Sequence, residues 1–176
     1  MNFELWILDF IQTLRFPILD QIMKGITFLG DKGLIWISLA LLLCFFKKTR
    51  KIGILMITGL ILNALICNVI LKPCIQRLRP FTYSDVSLIV SEPKDYSFPS
   101  GHTSASFVCC SIFYFLKRKE FPLLLILALM ISFSRLYLYV HFPTDVLAGI
   151  LLGTLNGWLS LILYRKYKGE NQCQAK

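Results

Sequence analysis

The chain has 176 residues, 56% of them hydrophobic and only 16% charged, with a formal net charge of +9 and a mean hydropathy of +0.64. This composition excludes an ordinary soluble domain, and the length suits one compact bundle spanning 1–176 rather than two domains. The positive residues gather in short clusters between apolar runs, a pattern of membrane topology; no nucleic-acid partner is expected.

In chain order, the first 32 residues come before any span. Glu4, Asp9, Gln12, Arg15, Asp20, Gln21 and Lys24 interrupt them too often for a lipid-crossing helix. Phe3, Trp6, Ile7, Phe10, Ile11 and Leu14 recur at helical spacing on one face, as in a helix lying in the interface. Pro17 breaks that helix, and 18–29 reads as a second one. Both are expected on the outer surface, beside the mouth of the site. The alternative for this region is a tilted sixth span with a cytoplasmic N-terminus. No basic start with a clean apolar core and cleavage site is seen, so no removable signal peptide is expected.

Five apolar runs follow, at 34–46, 52–71, 103–116, 121–140 and 146–164, long enough with their flanks to cross roughly 30 Å of hydrocarbon. In lipid each backbone must satisfy its own hydrogen bonds, so the runs predict an all-α, multi-pass transmembrane helical bundle over 33–166. Gly149, Gly153 and Gly157 form a ladder that predicts close packing inside the bundle. Basic clusters at Lys47–Lys51, Lys117–Lys119 and Arg165–Lys168 all fall on one side of a five-span chain. The positive-inside rule makes that side, and the tail 167–176, cytoplasmic. The six cysteines show no C-x-x-C spacing, so neither a metal site nor a disulfide framework is expected. Cys44, Cys67, Cys109 and Cys110 read as small hydrophobes, while Cys74 and Cys173 fall on opposite sides of the expected bilayer.

The opposite, outer side receives three short motifs: Lys72-x6-Arg79-Pro80, Pro99-Ser100-Gly101-His102, and Ser134-Arg135-x5-His141-x3-Asp145. In the first, Arg offers a planar fork to phosphate oxygens and Lys a point charge. Arg77 shares this loop and is expected to be solvated or to contact lipid headgroups. The second motif opens a helix whose free amides attract anions, with Ser97 or Pro99 suited to its start. Gly101 lets the backbone approach a phosphate, and His102 falls in the first turn. In the third, Arg135 is expected about two turns before its helix ends, where an unpaired guanidinium demands a carboxylate or a bound anion. His141 and Asp145 flank the Pro143 break as two sides of a tight turn. A carboxylate on imidazole Nδ1–H would leave Nε2 free to attack.

These segments resemble the type 2 phosphatidic acid phosphatase superfamily, whose signature K-x6-RP, PSGH, SR-x5-H-x3-D is matched at every fixed position between Lys72 and Asp145. The resemblance implies metal-independent hydrolysis through a phosphohistidine, without cofactors. By it His141 is the nucleophile, Asp145 orients it, and His102 protonates the leaving oxygen. Lys72, Arg79, Ser100, Gly101 and Arg135 would hold the phosphoryl oxygens. The size and five-helix plan resemble bacterial members acting on undecaprenyl diphosphate, the expected substrate, with phosphatidylglycerol phosphate or phosphatidic acid as the alternative. The non-enzyme alternative is a small membrane scaffold or transporter, but no internal repeat supports it.

Overall fold

The structure is a computed structural model and describes residues 3–174, with side chains through residue 169. All regular elements among the described residues are helical. They are α1 (Phe3–Gln12), α2 (Pro17–Gly30), α3 (Leu34–Phe45), α4 (Arg50–Asn63), α5 (Lys72–Ile75), α6 (Gly101–Phe115), α7 (Phe121–Tyr137) and α8 (Pro143–Gln174).

Prolines in the first turns of α2, α5, α7 and α8 fit positions whose N–H groups have no helical partner. Residues with positive φ end other segments, at Gln76 after α5, Lys117 after α6 and Tyr139 after α7. The Tyr139 turn stops α7 at Tyr137, three residues before the expected boundary. Arg135 therefore lies in the last turn of α7, not two turns inside it. Helix α6 begins at Gly101 with Ser100 as its N-cap, so neither Ser97 nor Pro99 starts it. The Phe98–Pro99 peptide is cis.

The two N-terminal helices start as expected on either side of Pro17, but the second does not lie apart from the first span. One turn of 3-10 helix, Asp31–Gly33, joins α2 to α3 through a kink in which Lys32 and Gly33 have φ of +52° and +70°. Among the described residues, Pro17–Phe45 is then one of three segments long and apolar enough to cross a membrane, with Arg50–Tyr83 and Pro143–Gly169. Helix α7 is a shorter apolar helix. Helix α8 continues as a helix through the expected tail, to Gln174.

Helix α6 is the axis of the bundle, with every residue from Thr103 to Phe113 buried. On one side it meets α8 through the glycine ladder. A Cβ at Gly153 would stand 2.2 Å from the Ser104 carbonyl oxygen, and one at Gly157 2.1 Å from Ser111 Oγ. The ladder thus packs inside the bundle, as predicted. On the other side, Trp36 Nε1 donates to Ser106 Oγ at 2.9 Å. Asn63 joins the third wall, donating to Ser104 Oγ and accepting from Asn156, so polar groups pin the register of α4, α6 and α8. Outward faces carry Leu123, Ile126, Leu147, Leu151 and Leu155, all exposed. Such a continuous apolar exterior is expected where lipid replaces water as solvent.

Between α4 and α5 the chain widens into a π-helical segment, Ala64–Leu71. It delivers Lys72 to the same end of the bundle as the start of α6 and the turn between α7 and α8. Leu8 and Ile11 of α1 pack over that turn against Tyr137–Val140 and Phe142.

Candidate active site

Six of the residues singled out by the motifs line one cavity of about 910 Å³: Lys72, Arg79, Gly101, His102, Arg135 and His141. They come from α5, the following loop, the first turn of α6, the last turn of α7 and the turn before α8. Two more, Ser100 and Asp145, are fully buried behind its wall. Ser100 N–H donates to the Asp145 carbonyl at 3.0 Å and its hydroxyl accepts from Thr103, so in this structure its side chain does not face the cavity.

His141 is buried between two kinds of neighbour. Its Nε2 lies 3.3 Å from Arg79 Nη1 on the cavity side. Its Nδ1 lies 3.5 Å from Asp145 Oδ2 and 3.4 Å from Ser97 Oγ on the protein side. The expected carboxylate is therefore on the expected nitrogen, at ion-pair rather than hydrogen-bond distance. Burial, and then the charges of Arg79, Arg135 and Lys72, hold His141 well below the usual imidazole range. A neutral, lone-pair-bearing imidazole results at neutral pH.

Asp145 explains that spacing, because its oxygens are already spoken for. Oδ2 accepts from Ser97 Oγ at 2.5 Å and from the Phe142 N–H at 2.8 Å. Oδ1 accepts from Arg77 Nη1 at 2.7 Å. Arg77 is thus neither solvated nor a headgroup contact, and the sequence expectation for it is corrected. Its guanidinium bridges Asp145, Thr144 and Glu4 of α1, and stacks 4.0 Å from the Phe142 ring centroid. A planar fork with several donors can tie three acceptors at once, which a solvated lysine would not do. Arg77, Ser97 and Glu4 form a clamp on the turn between α7 and α8 that the motif spacing did not announce. Arg77→Gln is expected to lower kcat roughly tenfold with little change in KM, since the turn loosens while the phosphate cradle stays. Steady-state kinetics checks this; an unchanged kcat would remove Arg77 from the account.

Lys72 and Arg79 converge as predicted. Both bind the Asp95 carboxylate, Arg79 Nη2 at 2.7 Å, and Arg79 Nε also holds the Asp95 carbonyl at 2.9 Å. Burial pushes the Asp95 carboxyl up, but the two cations outweigh it and hold the group well below the usual carboxylate range. An anion bound to these two cations would have to compete with this carboxylate. Arg135 is 5% exposed. Its Nη1 donates to Thr27 Oγ1 of α2, while its buried Nε has no hydrogen-bond partner. The carboxylate expected for it is not there; the other expected partner, an anion in the cavity, would satisfy it. His102 Nε2 lies 2.9 Å from Asp31 Oδ1, a residue outside every motif.

No cluster of three or more histidine, cysteine, aspartate or glutamate side chains suited to a metal occurs among the described residues.

The family pattern described as the PAP2 superfamily matches residues 52–168, all three motifs included. The chain belongs to the PAP2 superfamily. Among its relatives, the undecaprenyl-diphosphatase of Sulfolobus acidocaldarius is 36% identical over 130 residues, 73% of this chain and 61% of the relative's length. The phosphatidylglycerophosphatase B of Bacillus subtilis is also 36% identical, over 81% of this chain and 73% of the relative. In structure, the chain is similar to the transmembrane PAP2-type phosphatidylglycerolphosphate phosphatase of Bacillus subtilis, with a TM-score of 0.75 and 30% identity. That match covers 93% of this chain and 85% of the other. It is similar as well to LpxE of Aquifex aeolicus, with a TM-score of 0.79 at 29% identity, over 92% and 96% of the two chains. PAP2 membership, with the span-length helices, makes this a membrane protein of the phosphate-ester hydrolase kind.

Proposed function

We propose that this PAP2 protein removes the terminal phosphate of a polyprenyl diphosphate, undecaprenyl diphosphate above all, through a phosphohistidine on His141. The observation that carries the reading is the convergence of Lys72, Arg79, Arg135 and both histidines on one cavity. Phosphoryl transfer spreads charge over three equatorial oxygens, so fixed cations and an in-line nucleophile supply most of the catalysis. His141 Nε2 attacks phosphorus and the bridging P–O bond breaks. His102 gives its proton to the departing oxygen, then takes one from the water that releases phosphate from His141. Asp145, held by Ser97 and Arg77, keeps the His141 ring in place throughout. Gly101 brings the first amides of α6 close to the phosphoryl oxygens.

The wall composition favours a lipid with more than one phosphate. Lys24 and Lys32 also line the cavity, beyond the three motif cations. Phe28, Ile37, Leu60 and Ala64 line it too, from α2, α3, α4 and the π-helical segment. Phe28 and Ile37 are exposed, and they offer the tail a lateral way into the hydrocarbon. The second reading is phosphatidylglycerol phosphate, which also carries two phosphates, and a relative named for that substrate supports it. Relatives named undecaprenyl-diphosphatase support the first. Purified protein assayed against a panel of lipid diphosphates and monophosphates is expected to show its highest kcat/KM on undecaprenyl diphosphate. A tenfold preference for phosphatidylglycerol phosphate would replace the first reading with the second.

The cavity is proposed to face the extracytoplasmic side, because the basic clusters flank the opposite ends of the helices. A cysteine introduced for Asp85, in a chain lacking Cys74, is expected to react with an impermeant thiol reagent in intact cells. Labelling only after lysis would reverse the orientation.

A further inference from the structure

Asp31 sits where α2 gives way to α3, and two features of that junction aim it at His102. Lys32 and Gly33 both take positive φ, which turns the backbone there. Gly30 lies flat against the imidazole: a Cβ there would come 2.8 Å from His102 Cδ2 and 2.9 Å from Ile131 Cγ2. With no side chain at Gly30, the next residue places its carboxylate oxygen 2.9 Å from His102 Nε2. Among the described residues this is the one carboxylate bonded to His102.

The acid of the proposed reaction has an electrostatic difficulty. Burial first, and then the charges of Arg135 of α7 and Lys72 of α5, disfavour a positive charge on His102. Lys24 and Lys32 line the same cavity, and His141 contributes no negative charge. The cations that bind the phosphoryl group thus tend to discharge the acid that the same reaction needs. A carboxylate in direct contact opposes burial and these cations in part, and no motif residue provides one.

We propose that Asp31 is a positioning residue for His102, holding the imidazole in place and keeping it protonated until the leaving oxygen takes the proton. On transfer, His102 loses one proton to that oxygen and Asp31 retains its charge. The inference rests on His102 being the leaving-group acid, and the two are tested separately. The chain contains two histidines. NMR of isotope-labelled histidine in the detergent-solubilised His141→Gln variant therefore reports His102 alone.

Adding Asp31→Asn is expected to lower the His102 titration midpoint by about one pH unit. Asp31→Glu, which keeps the charge, is expected to restore at least half of that shift. In the otherwise native chain, Asp31→Asn is expected to lower kcat about tenfold near pH 7 without raising KM, and to move the alkaline limb of the pH profile to lower pH. An unchanged midpoint in Asp31→Asn, or equal shifts in the Asn and Glu variants, would overturn the role of Asp31 while leaving His102 as the acid. Full activity in His102→Gln would overturn the acid assignment itself, and the inference with it.

Discussion

His141→Ala is expected to lose phosphate release from a lipid diphosphate by about three orders of magnitude or more, with the protein still folded. The magnitude follows from what the side chain does. A nucleophile that forms a covalent intermediate divides one difficult displacement into two easier ones, and water held by the remaining cations replaces it poorly. The role proposed for His141 needs an unprotonated imidazole, and burial with the charges of three cations favours that form. A group whose bound-proton form is disfavoured in the folded protein stays competent above its lowered pKa and is lost only as pH falls through it. The acid limb of kcat/KM for the native protein is therefore expected below the ordinary histidine range, not near it. Release assays across pH, on native and variant protein of equal thermal stability, check both statements. An acid limb at the ordinary histidine pKa would contradict the environment described for His141.

Arg135→Leu carries the second large effect: a loss of roughly two to three orders of magnitude in kcat/KM, the usual scale for removing one preorganised group that meets developing charge. The unusual part is stability. Arg135 is buried, its Nε has no hydrogen-bond partner and its Nη1 donates to the Thr27 hydroxyl. Replacing it with a hydrophobe removes an expensive buried charge and leaves only Thr27 short of a partner. The melting temperature is expected to hold or rise while activity collapses. If stability fell in parallel with activity, Arg135 would be a structural residue and the phosphate cradle would lose its third cation.

The motifs announced most of the polar lining of the cavity because their spacing is local. Lys72 starts α5 and Arg79 lies in the loop just after it, His102 follows Gly101 at a helix start, and Pro143 separates His141 from Asp145 within one turn. Apolar runs announced the helices, though among the described residues three segments rather than five are long and apolar enough to span, and the glycine ladder announced its own packing. What stayed illegible depends on contacts between distant segments. Arg77 reaches an aspartate 68 positions away, and nothing in its loop distinguished it from a solvated arginine. Asp31 lies outside every motif, and only the kink between α2 and α3 brings it to His102. Ser97 looked like a helix cap because a serine before Pro and Gly usually is one, whereas its hydroxyl serves Asp145. The end of α7 moved because Tyr139 adopts a left-handed turn, and no composition signal marks that for a tyrosine.

The most direct test is a rapid acid-free quench of native protein with a lipid diphosphate labelled in its terminal phosphate, followed by peptide mapping under alkaline conditions. Label is expected on the peptide containing His141, in an acid-labile and base-stable linkage, and is expected to vanish in His141→Ala. Turnover with no protein-bound phosphate at any time point, or label confined to a residue other than His141, would contradict the account.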